Sequence, residues 1–104
     1  MPEFCSFLPS AAKSERKLKN HELIRAIRFM IAAEYEAVGL YMQLHDSTEN
    51  PKARILLKDI ANEERVHAGE FLHLLQELSP DEGKYYQEGA KEAEELLKKS
   101  DSDH

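Results

Sequence analysis

Cysteine occurs once in this chain of 104 residues, tryptophan not at all, and glycine and proline only four times each. The lone Cys5 can close no internal disulfide and can furnish no four-cysteine zinc or iron site, so a reducing, cytoplasmic setting is expected. No apolar run approaches the roughly 20 residues that cross a bilayer, and Met1 to Asn20 lacks the basic start and apolar middle of a secretion signal. Neither a membrane nor an export route is expected. The 14 basic residues are outnumbered by 20 acidic ones and form no stripe interleaved with aromatics. That pattern argues against nucleic acid as a partner, and a net charge of −6 favours cations instead.

Helix formers dominate what remains, with Glu, Lys, Leu and Ala abundant and the glycines and prolines mostly near the ends of periodic segments. The expected class is all-α. Residues 1–19 show no sustained period and contain two prolines, and they read as an N-terminal arm, loose or docked on a neighbour through Phe4, Phe7 and Leu8. After a cap at Asn20, residues Leu23, Ile27, Met30, Glu34, Ala37, Tyr41 and Leu44 alternate steps of four and three, a heptad-like stripe on a helix over about 20–45. Asn50-Pro51 supplies the next cap and first helical position. The second helix, 51–78, carries the stripe Ala53, Leu57, Ile60, Glu64, His67, Phe71, Leu74 and Leu78. Ser79-Pro80-Asp81-Glu82 reads as a capping box that opens a third helix over about 80–99, whose apolar stripe Tyr86, Ala90, Ala93 and Leu97 is thin. Residues 100–104 are expected to be a disordered polar tail. A single domain over 20–99 is too short to bury a large core, so self-association is expected.

Glu34, Glu64 and His67 stand on stripe positions where the pattern elsewhere puts Leu, Ile or Phe, and so they should point inward. Carboxylates in an apolar interior require a cation or a proton as compensation. Glu64 and His67, three residues apart on a helix, have Cβ atoms about 5–6 Å apart, a spacing that suits two ligands of one metal ion. A hairpin turning near Glu49 sets Glu34 level with Glu64, Ile27 with Phe71 and Tyr41 with Leu57, so the polar layer lies between apolar ones. One Glu from a helix and a Glu-x-x-His from another make half of the ligand set of a di-iron carboxylate bundle. A two-fold dimer supplies the other half from a second copy, giving two Glu34, two Glu64 and two His67 in a four-helix arrangement. Mixed carboxylate and imidazole ligands suit Fe(II), Mn(II) or Zn(II), and two irons so held can pass electrons to dioxygen or peroxide. Glu70-x-x-His73 falls off the stripe and receives no metal role. Glu63, Glu70 and Glu77 recur every seventh residue as a solvated acidic ridge or, in the sharper reading, an access path for metal led by Glu63. His21, His45 and His73 read as surface residues.

At these residues the sequence resembles the ferritin-like superfamily and, within it, the encapsulated ferritins. AAEYEAVGLYMQ carries Glu34 and Tyr41, NEERVHAGEF carries Glu64 and His67, and each occurs in a single copy. The likeness covers about Leu23 to Leu78. It implies a ferroxidase that oxidises Fe(II) to Fe(III) at a di-iron centre shared by two subunits, for iron storage or detoxification. It also implies dimers that assemble into a ring, a decamer, housed in an encapsulin shell within the cytoplasm. By match of motif Glu34, Glu64 and His67 are the iron ligands, Tyr41 is their aromatic neighbour, and Glu36 lies on the route by which iron reaches the centre. Leu40 stands where the family often has tryptophan, and Ala33 replaces an acidic residue of that route. The chain ends KKSDSDH, without an apolar targeting peptide. Two other readings stay open: a rubrerythrin-like peroxide-reducing di-iron protein, and a non-catalytic assembly module stapled by Zn(II).

Overall fold

The computed structural model describes residues 16–102. The expected arm up to Glu15, with Phe4, Cys5, Phe7 and Leu8, lies outside the described residues, as do Asp103 and His104. Three helices and no strands are present among the described residues: α1 (Asn20–Asp46), α2 (Pro51–Leu78) and α3 (Asp81–Ser102). None of these helices is long and apolar enough to cross a membrane.

The start of α1 is built by an ion pair. Its N-cap is Lys19, one residue before the Asn20 that the sequence suggested, and no side chain of the cap bonds back to the helix. Glu22 takes over that task. One carboxylate oxygen accepts the Lys19 N–H at 2.9 Å, and both oxygens are gripped by the Arg16 guanidinium at 2.9 and 3.0 Å. Glu22 retains only 8% of its exposure. Its position in the first turn also places a negative charge at the positive end of the helix dipole. The two-pronged bond from Arg16, followed by the Lys19 N–H, holds the Glu22 carboxyl down at about 2.

The α1–α2 turn follows the sequence signals closely. Asn50 Oδ1 accepts the Ala53 N–H at 3.0 Å, and Pro51 occupies the first helical position, where the missing N–H leaves no bond unmade. At the other end of the turn Arg54 reaches back to donate to the carbonyls of His45 and Thr48, at 2.9 and 3.1 Å. One guanidinium thus satisfies an orphan carbonyl of α1 and fixes the turn. His45, expected on the surface, keeps only 14% of its side-chain exposure beneath this turn.

The two long helices form a hairpin with a very small core. Buried apolar residues are Ala26, Ile27 and Ile31 on α1 and Ala61, Ala68 and Leu75 on α2. Leu23, Ile24, Phe71, Leu72 and Leu78 pack around Ile27, Ile31 and Leu75. The inner seam of α2 therefore runs through Ala61, Ala68 and Leu75, which repeat every seventh residue, and the alanines let the backbones approach closely. The stripe expected from sequence is corrected on one flank: Ile60 and Leu74 expose 37% and 40%, and Leu44 on α1 exposes 56%. The cause is that α2 carries two adjacent apolar seams, and a single partner helix covers only one of them.

Helix α3 stands apart from the hairpin. From Lys84 to Asp101 every side chain is exposed, including the expected stripe of Tyr86, Ala90, Ala93 and Leu97. The helix starts at Asp81 and continues through Ser102, so residues 100–102, expected to be disordered, are helical. Lys98 and Lys99 close to its carboxyl end complement the dipole there. Its tie to the hairpin is polar: Arg28 on α1 forms an ion pair with Glu82, which also accepts a hydrogen bond from the Tyr86 hydroxyl at 2.5 Å. The bonds from Tyr86 and then Arg28 lower the Glu82 pKa, and the Glu82 carboxylate raises that of Tyr86.

Two outcomes are expected from these contacts. Glu22→Gln loses denaturation stability at neutral pH relative to the native chain. Because the native carboxyl is depressed, that advantage is present above the usual 4.5 and disappears as pH falls towards about 2, as paired denaturant titrations across this range will show. Arg28→Ala removes the clasp on α3. Spin-label distances between α3 and the hairpin should then broaden, while α-helix content stays within about a tenth of the native value, since the helix propensity of alanine is high.

Candidate metal centre

The hairpin brings Glu34, Glu64 and His67 together at mid-height. One ligand atom from each lies within 4.8 Å of the others, and this is the sole cluster of three or more potential ligands found among the described residues. Glu34 comes from α1, while Glu64 and His67 lie three residues apart on α2, about one helical turn. His67 Nδ1 is 3.5 Å from Glu64 Oε2 and 3.8 Å from Glu34 Oε2. The first distance is at the limit of a hydrogen bond and the second is beyond it, so the three groups surround a point more than they bond to one another.

Burial within one chain is uneven. The Glu34 and Glu64 side chains keep 18% and 20% of their exposure, whereas His67 keeps 50%. The polar layer that the sequence suggested would be enclosed is thus open on the imidazole side. His67 lies in line with Ile60 and Leu74, each seven residues away and each exposed, so it belongs to the uncovered second seam of α2. Glu34 Oε2 is buried and has no hydrogen-bond partner. A buried acceptor left without a donor costs about 1–3 kcal/mol, and more when it is charged. Two carboxylates and an imidazole around a common point, one oxygen of them buried and unpartnered, are a fitting donor set for a divalent transition metal.

The other residues singled out in the sequence do not join this cluster. Glu36 and Glu63 are exposed, and Tyr41 is half-buried in the hairpin. His73 pairs with Glu77 at 3.4 Å on an outer face. Arg54, which fixes the turn, and Arg28, which holds α3, carry no pattern by which a sequence reader could have chosen them among the basic residues.

A crystal structure of the encapsulated ferritin domain from Pyrococcus furiosus matches this fold with a TM-score of 0.77 and 36% identity, covering 78% of this chain and 83% of that one. The sequence profile of the rubrerythrin family matches residues 11–102. The chain belongs to the rubrerythrin family. Within this ferritin-like family, a ferritin-like–encapsulin shell fusion protein of Pyrococcus furiosus is 34% identical over 91 residues, or 88% of this chain. The encapsulin nanocompartment cargo protein EncC of Myxococcus xanthus is 40% identical over 73 residues, or 70% of this chain. The matched regions span 26% and 56% of those two proteins. The all-α expectation agrees with the structural relative, whose fold this three-helix chain matches.

The unpartnered Glu34 oxygen leads to an opposed pair of effects. In the metal-free chain Glu34→Gln should raise stability by about 1 kcal/mol, because a buried charge is replaced by a group that can donate as well as accept. The same change should weaken Co(II) binding, followed by its visible absorption bands, by at least about tenfold. A variant that is less stable without metal and binds Co(II) normally would contradict this account of Glu34.

Proposed function

We propose that this protein is a ferroxidase whose di-iron centre is completed by a second copy of the chain, and that it works as cargo of an encapsulin shell. The observation that carries the reading is the buried, unpartnered Glu34 oxygen beside Glu64 and His67. One chain offers three ligands and an open imidazole side, and the seam that runs through His67 offers apolar residues to a partner. Apposing two such seams across a two-fold axis joins two copies of the triad and covers Ile60 and Leu74.

Charge supports the pairing. Two copies bring four carboxylates, and two divalent ions carry four positive charges, so the loaded site is neutral and the cost of collecting the acids in one layer is offset. Fe(II) is the substrate: two ferrous ions side by side supply the electron pair that reduces dioxygen or peroxide. Glu34 and Glu64 would hold the ions through their carboxylates, and His67 would hold them from the partner-facing side. The apolar layer around Ile27, Ile31 and Phe71 limits water at that level of the hairpin, which strengthens every carboxylate–cation interaction. Glu36, Glu63 and the acidic ridge on α2 lie on the exterior and would draw cations towards the seam.

Names of relatives support the cellular setting, since one is a fusion to an encapsulin shell and another an encapsulin cargo. The family match also favours a second reading, in which the same centre reduces peroxide with electrons from a donor protein. No cysteine set for self-contained electron delivery is present in the sequence.

Glu34→Ala, Glu64→Ala and His67→Ala should each slow aerobic Fe(II) oxidation by at least about a hundredfold, since loss of outer contacts to metal ligands alone costs about 10–100-fold. Stopped-flow absorbance of Fe(III) formation measures it, and analytical ultracentrifugation with and without Fe(II) follows the dimer. Native oxidation rates in all three variants would sink the proposal. Peroxide consumption that is fast only with an added reductant would select the second reading.

A further inference from the structure

Helix α3 carries an apolar stripe that its own chain leaves open. Tyr86, Ala90, Ala93 and Leu97 follow one another at steps of four, three and four, with Gly89 and Leu96 along one side. The opposite face is charged throughout, with Glu88, Lys91, Glu92 and Glu95 at its centre. Leu96 and Leu97 expose 69% and 66%, so packing within the chain does not account for them. A helix in water draws most of its stability from the packing of such a face. Gly89 at mid-length weakens α3 further, which makes a cover for the stripe all the more necessary.

The stripe is complementary to itself. A second α3 running antiparallel, with a two-fold axis between Lys91 and Glu92, sets Tyr86 level with Leu97 and Ala90 level with Ala93. Large side chains thus meet at either end, about 16 Å apart along the helix, and small ones meet at the crossing. Alanine against alanine lets the two axes approach to about 8 Å. Leu96 of each copy comes over Gly89 of the other, where no atom stands within 4 Å of the position a Cβ would take. The ends carry opposite charge, with Asp81 and Glu82 in the first turn and Lys99 in the last. Antiparallel pairing places the acidic end of one helix against the basic end of the other and opposes their dipoles, whereas parallel pairing sets like against like.

The same register brings Leu97 of the second copy to the ring of Tyr86. That ring borders a groove of about 390 Å³ between α1, α2 and the start of α3, lined also by Arg28, Ile31, Tyr35, Leu72 and Leu75. A cavity of about 150 Å³ takes one benzene-sized group, so a leucine fits this groove with space left.

We propose that α3 pairs antiparallel with α3 of a second copy of this chain through Tyr86, Ala90, Ala93 and Leu97, each Leu97 closing the groove of the other copy. Glu34, Glu64 and His67 all lie on α1 and α2, so this contact needs no metal and is separate from the seam through His67.

Two chains that lack the native thiol through Cys5→Ser, one with Ala90→Cys and the other with Ala93→Cys, are mixed without metal and oxidised with glutathione disulfide. Their mixed disulfide should form at least about tenfold faster than that of a Glu88→Cys and Glu95→Cys mixture, whose sites are level in the same register but lie on the charged face. Equal rates in the two mixtures would overturn the proposal. So would homodisulfides of the Ala90→Cys and Ala93→Cys chains that form faster than the mixed one, since a parallel pair sets residue 90 level with residue 90. A variant without engineered thiols checks the same contact. Ala93→Arg keeps a high helix propensity, and it should lower the average mass of the metal-free protein in sedimentation equilibrium by at least about twofold. A mass equal to that of the native chain would likewise overturn it.

Discussion

Two carboxylates meet across the seam of a two-helix hairpin, and most of the structure can be understood as the accommodation of that contact. Glu34 and Glu64 are held at one level by helices whose own buried core is six apolar residues, three of them alanine. Hydrophobic burial on that scale leaves little surplus to absorb uncompensated charge. One oxygen of Glu34 is buried without a donor, and the nearest candidate, His67 Nδ1, stands 3.8 Å away. The fold therefore maintains a local deficit of one hydrogen-bond donor at the Glu34 carboxylate.

Much of this was legible in the sequence because helix periodicity and hairpin geometry are both rigid. Asn50-Pro51 marked the start of α2, and a turn near Glu49 was enough to set Glu34 beside Glu64. What the sequence could not assign was which apolar seam of α2 faces α1. Ile60, His67 and Leu74 on one side and Ala61, Ala68 and Leu75 on the other are offset by a single residue, and both satisfy a seven-residue repeat. Small size decided it, since alanine permits the closer backbone approach. The polar ties were also hidden: Arg16, Arg28 and Arg54 act on Glu22, Glu82 and the His45 carbonyl, partners whose distance in sequence follows no helical spacing. Lys19 in place of Asn20 as cap follows from Glu22, three residues on, which accepts the Lys19 N–H while paired with Arg16.

The molecule measures 56 × 43 × 20 Å, and its smallest dimension is about that of two helices with their side chains. A body this thin has almost no interior of its own. Exposed Leu40, Leu44, Leu56 and Ile60, together with an α3 exposed from Lys84 to Asp101, are surfaces in search of cover. A domain of the rubrerythrin family usually has four long helices to wrap such a site. Here two are supplied, and within one chain they leave those apolar side chains uncovered.

The turn at 47–50 has a further meaning. From Asp46 back to Glu34 and from Pro51 on to Glu64 the chain counts nearly equal numbers of residues, about 18–20 Å of helix on each arm. The Arg54 bonds to the His45 and Thr48 carbonyls make this end of the hairpin a fixed origin from which both arms are measured. One residue inserted within either helix between the turn and Glu34 or Glu64 would turn that carboxylate about 100° around its helix axis and shift it about 1.5 Å along it. The arm before Arg16 and the helix after Glu82 can change length freely without this penalty. The 31 residues from Glu34 to Glu64 thus act as a gauge whose length sets the two carboxylates level with each other.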